Sequence, residues 1–203
     1  IVAKYPKGET SGCEMFNSSL KRLKVDQLYG YLLHHFEVYK NNPAVWDEFV
    51  ALKESGRVQK IGFSLYTPKE LEFILKNGSP FDLIQVPFNI FDKKFLPYMK
   101  ELHEKGVEIH VRSTFLQGLF FKDRNALPEK LLPMKMYLLQ LDEFSKKSGL
   151  GISEIALNYN LQNPYIDGVL IGVDNVEQLQ MNLNSVKDTP VDIEIEVKEQ
   201  ELL

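Results

Sequence analysis

Short apolar runs alternate with amphipathic segments along most of this sequence. The clearest run, residues 28–35, shows no helical spacing and predicts a buried strand that ends at His34 and His35. In the segment before it, 14–23, apolar residues recur at spacings of four and three, which is typical of an amphipathic helix. Ligands of parallel α/β folds bind at the carboxyl ends of the strands, so the histidines occupy a favourable place for a functional site.

The same alternation continues along the rest of the chain. Further strands are predicted at 1–4, 58–64, 82–86, 107–113 and 167–172. Further helices are predicted at 42–56, 67–78, 95–106, about 133–147, from about 153, and at 175–183. Thr67-Pro-Lys-Glu70 has the form of a capping box, and Asn175 with Gln178 has the form of an N-cap. Residues 5–13 and 114–133 are predicted connections, and the longer one is the candidate pocket-shaping loop.

Six short strands separated by amphipathic helices predict a parallel sheet with crossover connections. Because a barrel needs eight strands, the pattern fits an α/β fold of the (β/α)8 TIM-barrel type lacking its first two β/α units, as a single partial domain over residues 1–203. The start at a strand, without Met, leads us to expect upstream sequence. A six-stranded open doubly wound sheet is the structural alternative. No strand is followed by Gly-x-Gly-x-x-Gly, so a Rossmann dinucleotide site is not supported.

Composition narrows the classes of function. The 203-residue chain is 44% apolar and 26% charged, with a net charge of −4, which is typical of a globular protein with one sizeable core. Its basic residues are scattered, which argues against a nucleic-acid partner, and no apolar run approaches the roughly 18 residues of a membrane span. With no signal-peptide pattern and the single cysteine Cys13, the sequence predicts a cytoplasmic protein whose oligomeric state is open.

Six groups of residues, in this order, resemble successive landmarks of the aldo-keto reductases. They are residues 18–23, Leu32-Leu33-His34, residues 58–64, Ile84-Gln85-Val86, Arg112-Ser113, and Leu170-Ile171-Gly172 followed by Glu177-Gln178-Leu179 and Asn182. The resemblance covers nearly the whole chain. It implies a (β/α)8 barrel that binds an extended nicotinamide dinucleotide without a Rossmann domain and transfers hydride to the carbonyl of a small molecule, an aldehyde or a ketone.

The resemblance also implies catalytic residues, because the family uses a tetrad of Asp, Tyr, Lys and His. Lys4 matches the lysine and His34 the histidine, whereas the Asp and Tyr belong to a unit that we expect upstream, so this chain alone is expected to be inactive or nearly so. The family's Tyr is the general acid, its acidity is raised by the Lys ammonium, and the His orients the substrate or relays a proton. Tyr5 should face away from Lys4 and is not assigned the role of the Tyr. No metal site is expected at His34 and His35, because neighbours on a strand point to opposite faces.

The resemblance also implies which residues hold the nicotinamide end of the cofactor. Ser64 and Gln85 match positions that hold the carboxamide, which needs one donor and one acceptor. The structural alternatives are a turn serine and a buried glutamine bonded to the backbone. Arg112 stands where many members stack a tyrosine on the nicotinamide, and an arginine can lie flat on a ring or reach a phosphate. Ser113 and Phe115 are placed on the same cofactor face.

The adenosine end departs from the pattern of the NADP-preferring relatives, which present Lys, Ser and Arg to the 2′-phosphate. Gly172, Val173 and Gln178 occupy the matching positions here, and none is charged. Asn182 keeps the match for the adenine edge. NADP remains the family default for the cofactor, with NAD an almost equal alternative.

Two other functions remain open at the level of sequence. The first is a non-catalytic relative that binds a nicotinamide nucleotide. The second is an unrelated parallel α/β barrel that binds a phosphorylated small molecule.

Overall fold

The computed structural model describes residues 1–6, 11–199 and 202, so the predicted connection at 5–13 lies partly outside the described residues. The chain forms two compact units. The first comprises Ile1–Val86 and Pro97–His110, and the second comprises Pro87–Leu96 and Val111–Leu203. One domain over residues 1–203 stays a prediction. Within the described residues, none of the helices combines the length and the apolar character needed to cross a lipid bilayer.

All six predicted strands are present in one sheet whose spatial order follows the chain, β1-β2-β3-β4-β5-β6. They are β1 Val2–Tyr5, β2 Leu28–Leu33, β3 Val58–Ser64, β4 Leu83–Pro87, β5 Glu108–Arg112 and β6 Gly168–Val169. The pairs β1–β2, β2–β3 and β3–β4 are parallel. An order that follows the chain is what successive β/α units produce.

The helices agree with the sequence except in the region after β2. They are α1 Gly12–Leu23, α2 Phe36–Asn41, α3 Val45–Glu54, α4 Pro68–Asn77, α5 Leu96–Glu104, α6 Lys135–Ser148, α7 Ile152–Leu161 and α8 Val176–Asn184. Two short 3₁₀ helices, Leu116–Phe121 and Glu129–Met134, lie in the long connection. The predicted capping box of α4 is confirmed, since the Glu70 carboxylate accepts from the Thr67 N–H at 3.2 Å.

Three sequence predictions about element bounds were wrong. The strand predicted at 28–35 ends at Leu33, and α2 follows it because Phe36 and Tyr39 bury one face of a short helix. The helix predicted to open at Asn42-Pro43 begins at Val45. The strand predicted at 167–172 has only the two residues of β6.

The first unit has an aromatic core on one face of its strands. Tyr31 stacks on Phe49 with ring centroids 4.9 Å apart, and Phe63 stacks on Trp46 at 4.0 Å. Trp46 and Phe49 belong to α3, so this helix covers that face of β2 and β3. Alternate residues of a strand point to opposite sides. The neighbours of Tyr31 and Phe63 along the chain, Leu32 and Gly62 among them, therefore face the other side.

Gly62 marks a close approach between β3 and β4. A Cβ atom at this position would lie 1.7 Å from the Leu83 carbonyl oxygen, far inside van der Waals contact. Only glycine therefore fits here without moving one of the two strands. Two residues further along each strand, Ser64 and Gln85 are register partners, so their pairing depends on this spacing.

A charged cluster in the first unit is centred on Glu108, the first residue of β5. Its carboxylate accepts hydrogen bonds from the Tyr29 hydroxyl at 2.6 Å and from Lys60 Nζ, and His110 Nε2 lies 2.6 Å from it. The Glu108 side chain is 12% exposed. A carboxylate this buried is stabilised by its partners, and removing it would leave the partly buried Lys60 ammonium without its counterion.

The second unit has a core of its own. Buried residues of the long connection, α6 and α7 form it, Phe120, Tyr137 and Ile155 among them, together with Phe91. The segment 190–199, in which apolar residues alternate with acidic ones, adds Ile193, Ile195 and Val197 to this core. The alternation therefore buries one side of this segment, although its described residues, 190–199, form no strand.

Candidate functional site

In the first unit, the predicted catalytic lysine lies at the end of its strand and contacts a predicted cofactor residue. Lys4 Nζ donates a hydrogen bond to Ser64 Oγ at 3.4 Å. Ser64 and Gln85 are register partners across β3 and β4, and each is only 1% exposed. The two strands thus hold a hydroxyl and an amide side by side in a buried place.

Strand register explains why these side chains share a face. Lys4 pairs with Leu32, and Leu32 pairs with Gly62, so all three point to one side of the sheet. Ser64 is two residues after Gly62 and returns to the same side. Tyr5 points the other way, where its ring lies 6.1 Å from Phe49, which confirms the expectation that it faces away from Lys4.

His34 lies beside the end of β1 but just beyond β2. Its backbone N–H donates to the Tyr5 carbonyl oxygen at 3.2 Å, which continues the ladder by one residue. The rings of His34 and His35 lie 4.4 Å apart. The prediction that strand alternation separates these rings was wrong, because β2 ends at Leu33. No cluster of three or more His, Cys, Asp or Glu suited to a metal occurs in the described part of the chain.

This group of side chains suits chemistry at a polar bond. An ammonium and an imidazole at strand ends can stabilise developing negative charge and take part in proton transfer. The hydroxyl of Ser64 and the amide of Gln85 offer donors and acceptors with little access to water. The group belongs to the first unit throughout.

The second unit contains a cavity of about 750 Å³. Five of the predicted cofactor residues line it: Ser113, Phe115, Gly172, Gln178 and Asn182. Arg112, the sixth prediction in this unit, is not among its lining residues. Sequence reasoning missed Gln117, Asp174 and Met181, which also line the cavity.

The loop that follows β5 enters this cavity in a strained conformation. Ser113, Leu116 and Gln117 have φ angles of 66°, 46° and 52°, in the left-handed region that residues other than glycine rarely adopt. The Asn89 amide donates to the Ser113 carbonyl oxygen at 3.0 Å, and Asn89 is fully buried. Conformations of this kind persist where the surroundings enforce them, and they concentrate at functional sites.

A second buried amide lies behind the same loop. Asn160 of α7 donates to the Phe88 carbonyl oxygen at 3.2 Å and to Thr114 Oγ1 at 3.1 Å. Sequence reasoning missed Asn89, Thr114 and Asn160. A polar residue two positions after a buried strand was a signal for Asn89, whereas the role of Asn160 depends on contacts distant in sequence.

The start of α8 forms another wall of the cavity. The Asn175 side chain accepts from the Gln178 N–H at 2.8 Å, which confirms the predicted N-cap. In return, Gln178 Oε1 accepts from the Asp174 N–H at 2.8 Å. The two bonds fix the turn that carries Asp174 and Gln178 into the cavity lining.

The sequence of this chain is similar to those of curated oxidoreductases. The uncharacterised oxidoreductase YqkF of Bacillus subtilis is 24% identical over 181 residues, an alignment that covers 85% of this chain and 59% of YqkF. The chain spans 56–59% of the length of the curated relatives it matches.

Solved structures share the fold. The holo form of the aldo-keto reductase AKR11C1 from Bacillus halodurans matches with a TM-score of 0.75 and 23% identity, over 99% of this chain and 69% of that chain. A mutant of Gox0644 in complex with NADPH matches with a TM-score of 0.67 and 20% identity, over 91% of this chain and 63% of that chain. The six parallel strands match the (β/α)8 barrels of these neighbours, which confirms the predicted fold class.

The family itself is identified by sequence. The sequence model of the aldo/keto reductase family matches residues 6–196. This stretch contains strands β2 to β6 and helices α1 to α8. This match excludes the unrelated barrel as an alternative. The chain therefore belongs to the aldo/keto reductase family.

Proposed function

We propose that the protein to which this chain belongs is an NAD(P)H-dependent oxidoreductase that reduces the aldehyde or ketone carbonyl of a small molecule to an alcohol. One observation carries the proposal: five residues that the family resemblance places at the cofactor line the same cavity. Family membership supports it, as does the neighbour solved in complex with NADPH.

The residues present fit a nicotinamide dinucleotide. The cavity volume of about 750 Å³ falls within the range of about 300–1,000 Å³ that is typical of sites for small ligands and cofactors. Ser64 and Gln85 are buried and supply the donor and the acceptor that a carboxamide requires. We assign these two residues to the nicotinamide end, and the cavity to the adenosine end.

When bound, the reduced nicotinamide supplies the hydride that the carbonyl carbon accepts. The residues of this chain act on the carbonyl oxygen, which gains negative charge as the hydride arrives and must take up one proton to become the alcohol. The proton donor in the family is the Tyr of the tetrad, and the positive charge of Lys4 raises its acidity. His34 orients the substrate or relays the proton. The Ser64 hydroxyl keeps the Lys4 ammonium at the end of β1.

Nucleotide binding tests the proposal. The purified chain is titrated with NADH and with NADPH, and binding is followed by quenching of intrinsic fluorescence and by protection against heating. Saturable binding of either nucleotide is the expected result. A folded sample that binds neither would remove the proposal.

Turnover separates the enzyme from the non-catalytic relative. Carbonyl-dependent loss of the near-ultraviolet absorbance of the reduced nicotinamide, measured with a panel of aldehydes and ketones on a protein that also contains the Asp and Tyr of the tetrad, would support catalysis. Lys4→Met is expected to abolish that loss, whereas Lys21→Met, on an exposed position of α1, should leave it unchanged. Nucleotide binding without turnover, by a protein that contains all four residues of the tetrad, would favour the non-catalytic relative.

A further inference from the structure

The lining of the cavity in the second unit includes a negatively charged residue, which is unusual for a site assigned to a phosphorylated ligand. Asp174 lines it, and no lysine or arginine is found among the described residues of its lining. The surrounding sequence has the same character, because residues 170–186 contain Asp174 and Glu177 and no basic residue. The wall formed by the start of α8 is therefore anionic.

The nearest basic residue after this segment is engaged elsewhere. Lys187 Nζ lies 3.6 Å from Glu154 Oε1, in an ion pair with α7. Its backbone N–H donates to the Asn158 side chain at 2.9 Å, which holds this part of the chain against the same helix. Lys187 is also absent from the lining of the cavity.

Two backbone donors that could have met a phosphate are also engaged. The Asp174 N–H donates to Gln178 Oε1, and the Gln178 N–H donates to the Asn175 side chain, each at 2.8 Å. A phosphate that used either donor would have to break a hydrogen bond of the cap of α8.

The two nicotinamide dinucleotides differ at one group of the adenosine ribose. NADP(H) carries a 2′-phosphate with a charge of about −1.5 to −2 at neutral pH, which needs a cationic partner such as arginine or lysine. NAD(H) carries a 2′-hydroxyl there, which donates a hydrogen bond to a carboxylate. An aspartate beside the ribose therefore favours the hydroxyl and repels the phosphate.

We infer that this cavity selects NAD(H) over NADP(H), and that Asp174 is the residue that determines the choice by accepting a hydrogen bond from the free 2′-hydroxyl. The inference rests on the proposed function, which assigns the adenosine end of the nucleotide to this cavity. It commits to NAD(H), where the sequence alone leaves NADP as the family default.

The test compares dissociation constants of the whole chain for NADH and NADPH at low ionic strength. We expect NADH to bind at least about tenfold more tightly, a ratio that corresponds to about 1.4 kcal/mol. Asp174→Asn should lower that ratio by about threefold or more, because it removes the repulsion of the phosphate. Added salt should lower the ratio for the unsubstituted chain, since ions screen the exposed carboxylate.

Glu177→Gln is the matched control. It removes one negative charge from the first turn of the same helix, at a residue that does not line the cavity. The ratio should stay within about twofold of its original value, because the exposed Glu177 carboxylate stays in water and does not face the cavity lining. An equal change in both variants would overturn the assignment of the selectivity to Asp174.

The remaining outcomes separate this inference from the proposed function. Equal or tighter binding of NADPH by the unsubstituted chain would overturn the inference and leave the proposed function standing. Failure of a folded sample to bind either nucleotide would overturn both. Tighter binding of NADH, with a reduced ratio in Asp174→Asn alone, would support both.

Discussion

Ser113 illustrates how a single residue carries strain at the candidate cofactor site. Its φ angle of 66° places it in the left-handed region, which costs an L-residue with a side chain about 1–2 kcal/mol. The buried Asn89 amide, bonded to the Ser113 carbonyl oxygen, helps to enforce this conformation. The strain therefore belongs to the folded state of the loop that lines the cavity.

Replacing Ser113 with glycine should relieve that strain. We expect Ser113→Gly to raise the free energy of unfolding by about 0.5–1 kcal/mol, after allowance for the greater entropy of glycine in the unfolded chain. Urea unfolding measures the change. Ser19→Gly in α1 is the control and should lower the free energy of unfolding by a similar amount. Equal losses in the two variants would show that position 113 carries no strain.

Glu108 makes stability depend on pH. Burial raises the pKa of its carboxyl group, but hydrogen bonds from Lys60, Tyr29 and His110 outweigh burial and hold the pKa below its ordinary value of 4.5. Since the folded pKa lies below the unfolded one, the group contributes stability above about pH 4.5 and loses it as the pH falls through the folded value.

Glu108→Gln is therefore expected to lower the free energy of unfolding at neutral pH by about 1–3 kcal/mol, the range for hydrogen bonds to a charged group. The difference from the unsubstituted chain should shrink as the pH falls below 4.5. Denaturant unfolding at a series of pH values measures it. Glu104→Gln, which alters an exposed pair with Lys100, should change stability by less than about 1 kcal/mol. A pH-independent difference for Glu108→Gln would contradict this explanation.

At the level of elements, the contact between β3 and β4 depends on one glycine. A Cβ at Gly62 would meet the Leu83 carbonyl oxygen at 1.7 Å, so Gly62→Ala must push the strands apart. We expect it to lower the free energy of unfolding by about 1–3 kcal/mol or more, as overpacking does. Thermal and urea unfolding test this. Gly151→Ala, whose added Cβ would meet its nearest neighbour at 3.5 Å, should cost far less, and similar losses in the two variants would contradict the steric explanation.

Elements could be predicted from the sequence where their apolar pattern was regular. β3 was predicted with its observed bounds, because its apolar run ends at a polar serine followed by a capping box. The strand at 28–35 was predicted two residues too long. The helix that follows it, α2, has only six residues, which is too short for its apolar residues Phe36 and Tyr39 to show a helical period in the sequence. β6 was predicted too long because the extent of a strand depends on its partner, which a local pattern does not contain.

The candidate site shows the same limit. Lys4, Ser64 and Gln85 end or line strands and could be identified by resemblance, and the structure brings Lys4 into contact with Ser64. Asn89 and Asn160 could not be identified in this way. They support the loop through hydrogen bonds to Ser113 and Thr114, and those contacts exist only in the tertiary structure.

For the molecule as a whole, each of the two compact units holds its own part of the predicted machinery. The first unit contains Lys4, His34, Ser64 and Gln85, and the second contains the cavity assigned to the adenosine end. The central claim is that this chain binds a nicotinamide dinucleotide whose adenosine end occupies the cavity of the second unit. A variant that fills the cavity without disturbing the fold tests it most directly.

Gly172 is suited to that variant, because a Cβ added there would meet no atom within 4 Å. The measurement is the dissociation constant for NADH of the unsubstituted chain and of Gly172→Trp, with circular dichroism to show that both are folded. We predict saturable binding by the unsubstituted chain, a gain in stability of about 2.7 kcal/mol at a hundredfold excess of NADH over its Kd, and loss of both in the variant. Unchanged binding by Gly172→Trp, or no binding by the folded unsubstituted chain, would contradict the claim.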